Sequence, residues 1–424
     1  MLITMLAIGS RGDVQPYLAL GAELKKTGYR VRIATFRNFE SFVNDLGLEF
    51  FHVHGDVAQI AASAEMQTSA MQADNPLKLL LSFNKLKSYV FDLQKDFFDA
   101  CEGADAILYH PGASIGYFIA QHLNIPSILA PPFPMTPTRE YPALIFYDRA
   151  RLGKAYNHLT HKIFEQIMWM ASSAPVKQFW KQKFGRAPKN FASPFPLQTT
   201  RTSPTIISCS NYVFPQPSDW PAHVYNTGYW FLEDDQHWQP SESLLKFLDQ
   251  GKPPVYVGFG SIGNPALAAQ TTALVIEALQ RAGQRGVLAT GWSGMTQRDD
   301  LPEDIFMLES APHSWLFPRM ACVVHHGGAG TTAAGLRAGV PGVIIPFGND
   351  QFAWGRRVQE LGVGTSIPRK KLTAENLSQA ISFALKPEIQ NTAKDLGTRI
   401  QSENGAETAV KIIRESLDSV MARK

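Results

Sequence analysis

Cysteine is scarce: three residues in 424, Cys101, Cys209 and Cys322, lie far apart. No Cys-x-x-Cys and no paired Cys/His spacing accompanies them, which excludes a zinc module or a disulfide-stapled scaffold. Isolated thiols suit a reducing compartment, so the cytoplasm is the expected location. Charge is sparse as well, at 18% of residues with a net of +3. Such balance offers no general attraction to nucleic acid. No uninterrupted apolar stretch approaches the ~20 residues of a spanning helix. Residues 1–8 are apolar but have no basic segment before them and run straight into Gly9-Ser10-Arg11-Gly12-Asp13. A buried strand is expected there, and no signal peptide.

What the chain has is length and apolar residues. At 424 residues with 45% hydrophobic content it exceeds the roughly 250–300 residues that one core can serve, so two domains are expected. Strand-length apolar runs alternate with amphipathic stretches closed by glycine: LITMLAI, PYLALGAELKKTG, RVRIATF, NFESFVNDLG and LEFFHV. That rhythm signals β-α units and a parallel sheet. It resumes after a polar, Pro-terminated stretch at 231–240 with VYVGF, GVLAT, IFMLE, ACVVH, GVIIP and GTSIP. The expected organisation is a first α/β domain at 1–232, a linker at 233–250, a second α/β domain at 251–403, and a final amphipathic helix at 404–424. Helical stretches rich in Leu, Phe, Tyr, Trp and Met at about 74–102 and 141–184 interrupt the first domain. They read as core packing, or as walls of an acceptor pocket.

Four turns carry chemistry. VYVGFGSIG at 255–263 superficially matches a dinucleotide fingerprint, but the next strand, GVLAT, leads to Gly291-Trp292 instead of the acidic residue that would bind ribose hydroxyls. NAD is therefore disfavoured, while Ser261 remains able to donate to phosphate or sugar oxygens. In CVVHHGGAGTTAAGL at 322–336, a strand ends in His325-His326 and a Gly-rich turn opens a helix. Its amides and positive dipole end suit a diphosphate. If the diphosphate departs in the reaction, those amides, Thr331, Thr332 and one imidazole stabilise its developing charge. PFGNDQ at 346–351 follows another strand and sets Asp350 and Gln351 at the same sheet edge, either to bind vicinal hydroxyls or to cap the next helix. Asp13, at the first β-α turn, serves equally as a helix N-cap or as a base for an attacking hydroxyl. The chain has no Asp-x-Asp pair to clamp a divalent ion on a diphosphate.

With the stretches GSRGDVQPYLALGAELKKTGYRVRIATF, VYVGFGSI, APHSWLF, VVHHGGAGTTAAGLRAGVPGVIIPF and DQFAWGRRV, the chain resembles the sterol glucosyltransferases. More broadly it resembles the antibiotic-type and rhamnolipid-type bacterial members of glycosyltransferase family 1, which have the GT-B fold. The resemblance implies an α/β protein of two Rossmann-like, doubly wound domains facing each other across a cleft. It implies a UDP-glucose-like donor on the second domain, with His326 and the amides of Gly328, Ala329, Gly330 and Thr331 on the phosphates. It further implies Asp350 and Gln351 on the hexose and Asp13 as the base of an inverting, metal-independent transfer. Ser10, Arg11, Gly12, Ser261, Trp292, Ala311 and His313 complete the donor-binding set. Asp13 lies near where plant secondary-metabolite enzymes carry a catalytic His, and Ser310 stands where their uracil-stacking Trp precedes Ala-Pro, so Trp292 is the substitute. UDP-glucose is a co-substrate, and no cofactor is expected. The expected acceptor is a sterol or similar apolar hydroxyl compound, with peripheral membrane contact. The alternatives are another UDP- or dTDP-sugar passed to an antibiotic or lipid hydroxy-acid, and a non-catalytic nucleotide-sugar-binding protein.

Overall fold

The computed structural model describes residues 1–55, 87–233, 238–259, 265–290, 295, 301–348 and 350–421. The chain divides into two compact units, Met1–Leu232 with Glu403–Lys424, and Glu233–Ser402. In the first unit the order is β1 (Leu2–Leu6), α1 (Arg11–Lys26), β2 (Arg30–Phe36), α2 (Glu40–Asp45), β3 (Glu49–Val53), α3 (Lys87–Ala100), β4 (Ala106–Tyr109) and α4 (Ile115–Leu123). It continues with β5 (Ser127–Leu129), α5 (Lys154–Phe184), β6 (Thr205–Ile207) and β7 (Val224–Asn226). All strands run parallel in the order β3-β2-β1-β4-β5-β6-β7. Every residue of β1 and β4 is buried, as expected of strands covered by helices on both faces. Chain order reverses between β1 and β4, where Leu6 pairs with Tyr109. In an open α/β sheet the crevice beyond the carboxyl ends of two such strands is where ligands bind.

The second unit repeats the plan. It comprises α6 (Glu242–Asp249), β8 (Val255–Gly258), α7 (Pro265–Arg281), β9 (Gly286–Ala289), β10 (Ile305–Leu308), α8 (His313–Leu316), β11 (Cys322–His325) and α9 (Ala329–Ala338). Then come β12 (Gly342–Ile344), α10 (Gln351–Glu360), β13 (Gly364–Ser366), α11 (Ala374–Ala384) and α12 (Pro387–Gln401). The strand order is β10-β9-β8-β11-β12-β13, with the switch point between β8 and β11.

One segment differs from the sequence expectation, and another takes a place that the sequence left open. Much of the stretch read as a linker is α6, whose Leu244 and Phe247 pack in the second unit with Tyr256, Val287 and Phe317. The Ser241 hydroxyl accepts from the Leu244 amide as its N-cap, a start signal hidden behind Pro240 and the polar run before it. The last helix, α13 (Gly405–Met421), packs back on the first unit through Ala409, Val410, Ile413 and Leu417. Gly405 permits this return, because a Cβ there would stand 2.3 Å from the Tyr229 carbonyl oxygen. The aromatic segment at 141–184 is largely the single helix α5, which buries Phe164, Val176, Phe179 and Trp180 in the first unit's core. Among the described residues, no helix is long and apolar enough to cross a membrane.

Candidate active site

In the first unit, Ser10 precedes α1 and Asp13 lies in its first turn. One Asp13 oxygen, Oδ2, accepts from the Ser10 amide at 2.7 Å and from the Ser10 hydroxyl at 2.9 Å. Ser10, not Asp13, is therefore the N-cap, and Asp13, the third residue of the helix, closes the capping box while staying one-third exposed, with a side-chain accessibility of 34%. Gly9, at φ +126°, makes the approach possible, since a Cβ there would lie 2.3 Å from Asp13 Oδ2. Arg11 sits over the Phe42 ring, 5.0 Å from its centroid.

The second Asp13 oxygen faces a residue the sequence reading missed. His110 follows β4 directly, across the switch point, and its Nε2 lies 4.0 Å from Asp13 Oδ1. The Gly112 amide donates to His110 Nδ1 at 3.1 Å. A neutral ring must then carry its proton on Nε2, pointed toward the carboxylate. That nitrogen is buried and has no hydrogen-bond partner among the described residues. Burial lowers the His110 pKa while Asp13 opposes the shift. The local signal is only a His at a strand's carboxyl end before Pro111-Gly112; that this strand lies next to β1 comes from the fold.

In the second unit the turn after β11 carries a separate set of chemistry-bearing residues. His325 is buried, and its Nδ1 accepts from the Gly327 amide at 3.1 Å. Its pKa falls far below the usual imidazole range through burial, then through the neighbouring His326 and His313. His326 is half-buried, and burial brings its pKa down to about 4. Its Nδ1 has no partner among the described residues. It is thus a neutral imidazole at neutral pH. Intrahelical bonding in α9 begins with the Thr332 amide on the Gly328 carbonyl at 2.9 Å, so the amides of Ala329, Gly330 and Thr331 precede it and are available at the helix end. Gly327 has φ +89°, and Gly328 lies so close to the ring that a Cβ would stand 2.6 Å from His326 Nε2.

The same turn touches the Asp350-Gln351 pair. A Cβ on Gly327 would come within 3.1 Å of the Gln351 carbonyl and 3.4 Å of its Cβ. The Gln351 Oε1 accepts from the Phe347 and Gly348 amides at 2.8 and 3.2 Å, which orients the side-chain NH2 as the outward donor. Asp350, the residue before α10, accepts from the indole of buried Trp354 at 2.8 Å. Ala311 follows β10 at the same carboxyl edge, and His313 stacks on Phe317 at 4.2 Å. Ser261 and Trp292 lie outside the described residues.

Two doubly wound parallel sheets, each with a glycine turn and chemistry-bearing side chains at its switch point, define a glycosyltransferase of the GT-B class. Residues 3–142 match the glycosyltransferase family 28 N-terminal domain, and residues 275–415 match the erythromycin biosynthesis protein CIII-like C-terminal domain. Among solved structures, the kitacinnamycin glycotransferase superposes with a TM-score of 0.71 at 20% identity, covering 98% of this chain and 99% of the other. VinC, solved in complex with dTDP, superposes with a TM-score of 0.67 at 15% identity, covering 98% and 99%. Curated relatives resolve the branch. The chain is 36% identical to a sterol 3-beta-glucosyltransferase of Arabidopsis thaliana over 98% of its own length and 68% of that protein's. It is 38% identical to one of Emericella nidulans, over 98% of its length but 30% of that longer protein's. The chain belongs to the sterol 3-beta-glucosyltransferase family.

Proposed function

We propose that the protein transfers glucose from UDP-glucose to the hydroxyl of a sterol or similar apolar lipid, inverting the anomeric carbon and requiring no metal. The observation that carries this reading is the α9 terminus, where the first-turn amides of Ala329, Gly330 and Thr331, ahead of the first intrahelical bond, lie beside the neutral imidazole of His326 beyond the β11 strand end. Such an end receives a diphosphate and stabilises the charge it gains on leaving. Because His326 is neutral, it contributes an N–H donor, and the dipole supplies the positive field. Asp350 and the Gln351 amide recognise the hexose hydroxyls as acceptor and donor respectively.

Asp13 is the base. With Oδ2 anchored by Ser10, the carboxylate takes the proton of the acceptor hydroxyl as that oxygen bonds the anomeric carbon. The carbon's bond to the diphosphate breaks on the opposite face, and UDP leaves with the electron pair. His110 is a positioning residue whose N–H steadies Oδ1. Membership of the family supports the sterol acceptor, and such an acceptor would be met at the inner face of a bilayer. The test is direct: purified protein, radiolabelled UDP-glucose and a sterol panel, with and without chelator. Sterol glucoside formed equally in both is the expected result. Absence of any glucoside would sink the acceptor assignment, and loss of turnover with chelator, restored by magnesium, would sink the metal-free mechanism.

A further inference from the structure

We infer that the outer face of α5 is the surface by which this protein docks on an anionic lipid bilayer, a deepening of the bilayer-borne acceptor reading above, on which it rests. At about 100° per residue, positions 159, 163, 166 and 170 share one narrow arc of the helix. Three of them are apolar and open to solvent: Leu159 is 55% exposed, Ile163 40% and Met170 56%, with Leu152 at 68% just before the helix. These are four of the ten large apolar side chains exposed among the described residues, and the other six are scattered along the chain from Met1 to Phe383. Folding does not require this ridge, because the opposite side of α5 already buries Phe164, Ile167, Val176, Phe179 and Trp180.

The charge around the ridge has one sign. Lys177 and Lys181 are exposed and continue the line of the ridge, and Lys162 flanks it, whereas Lys183 lies over the Phe98 ring and Arg151 over the Tyr147 ring, each at 4.2 Å. The helix has one acid, Glu165, which is buried and bound to Lys162 at 3.1 Å. Its solvent face therefore carries no carboxylate, and Asp148 in the preceding loop is paired with Arg149. A second copy of the chain laid on this face would set lysines against lysines. An anionic bilayer fits both features: the apolar ridge enters the acyl boundary while the surrounding lysines reach the headgroups.

Flotation of the full-length protein with phosphatidylcholine vesicles, with and without phosphatidylserine, tests this. The wild type should float with the anionic vesicles and detach in high salt. The L159Q/I163Q/M170Q variant should lose flotation, and K177E/K181E should weaken it by at least about fivefold per lysine. Both should keep the wild-type circular dichroism and form sterol glucoside from detergent-dispersed sterol at the wild-type rate. Glucoside formation without flotation would overturn the docking alone, whereas flotation without any glucoside would overturn the acceptor reading and leave the docking standing. Equal flotation of wild type and both variants would also overturn it, as would a dimer that the triple variant dissociates.

Discussion

At the residue scale, the proposed base and its partner divide their work between the two oxygens of one carboxylate. Asp13→Asn retains the Ser10 contacts in shape but cannot accept a proton, so kcat should fall about 10²- to 10⁴-fold while UDP-glucose affinity, by calorimetry, barely changes. Wild-type turnover in that variant would remove Asp13 from the chemistry. His110→Phe removes the N–H facing Oδ1 without opening the core. It should lower kcat with KM for donor unchanged. A merely structural histidine would change stability and leave kcat at the wild-type value. His326 gives a third outcome. Its pKa of about 4 leaves it uncharged above pH 5, so UDP-glucose affinity should stay level from pH 8 down to about 5.5. Affinity that tightens steeply as pH falls through the ordinary imidazole range near 6.5 would show a cationic ring instead. Asp13 and His326 were readable in the sequence because each adjoins glycines at a strand end. His110 was not read, because its role depends on β4 lying beside β1, and adjacency in a sheet is not written in local spacing.

At the element scale, glycines decide what the turns can do. Gly327 combines φ +89° with Ile344 2.7 Å from any added Cβ, so Gly327→Ala should cost at least about 2 kcal/mol and displace Gln351. A thermal shift should record the lost stability, and donor binding should weaken with it. Unchanged donor affinity would mean that the turn and the Asp350-Gln351 pair are not one site. Another element-level device lies in α5. Its His161 is buried between the Met135 and Tyr141 carbonyls at 3.3 and 3.0 Å, and burial lowers its pKa to about 4. The unfolded chain therefore takes up this proton first as pH falls. The associated stability is complete above about pH 6.5 and is lost progressively toward about pH 4, a loss of about 3 kcal/mol. His161→Asn should lower Tm at neutral pH through lost packing, yet show a shallower decline between pH 6.5 and 4.5. An identical decline would assign acid sensitivity to other groups. Periodicity foretold the strands and the existence of a helix near 154–184. It did not foretell α6, because a Pro and a polar run are as compatible with an N-cap as with a linker.

At the scale of the whole molecule, the sequence shows a change of domain near residue 232 but not the chain's return. α13 has the amphipathic stripe of any surface helix, and stripe spacing states that a face must be covered without naming the surface that covers it. The return is specified by contacts far apart in sequence: Glu403 accepts from the Asn211 amide at 3.0 Å, Gly405 meets the backbone at Gly228 and Tyr229, and Ile413 and Leu417 are fully buried in the first unit's core. Each such side chain stabilises by about 1.5–3 kcal/mol when buried, so α13 is a structural part of the unit that bears Asp13, although it follows the second unit in sequence. Truncation after Ser402 should therefore expose the face of α1 and lower the unfolding temperature of the first unit in calorimetry. UDP-glucose binding, proposed for the second unit, should persist at temperatures where transfer has already ceased. If truncation instead abolished donor binding and left the first transition in place, the terminal helix would belong to the other half, and the division of labour between the two units would have to be redrawn.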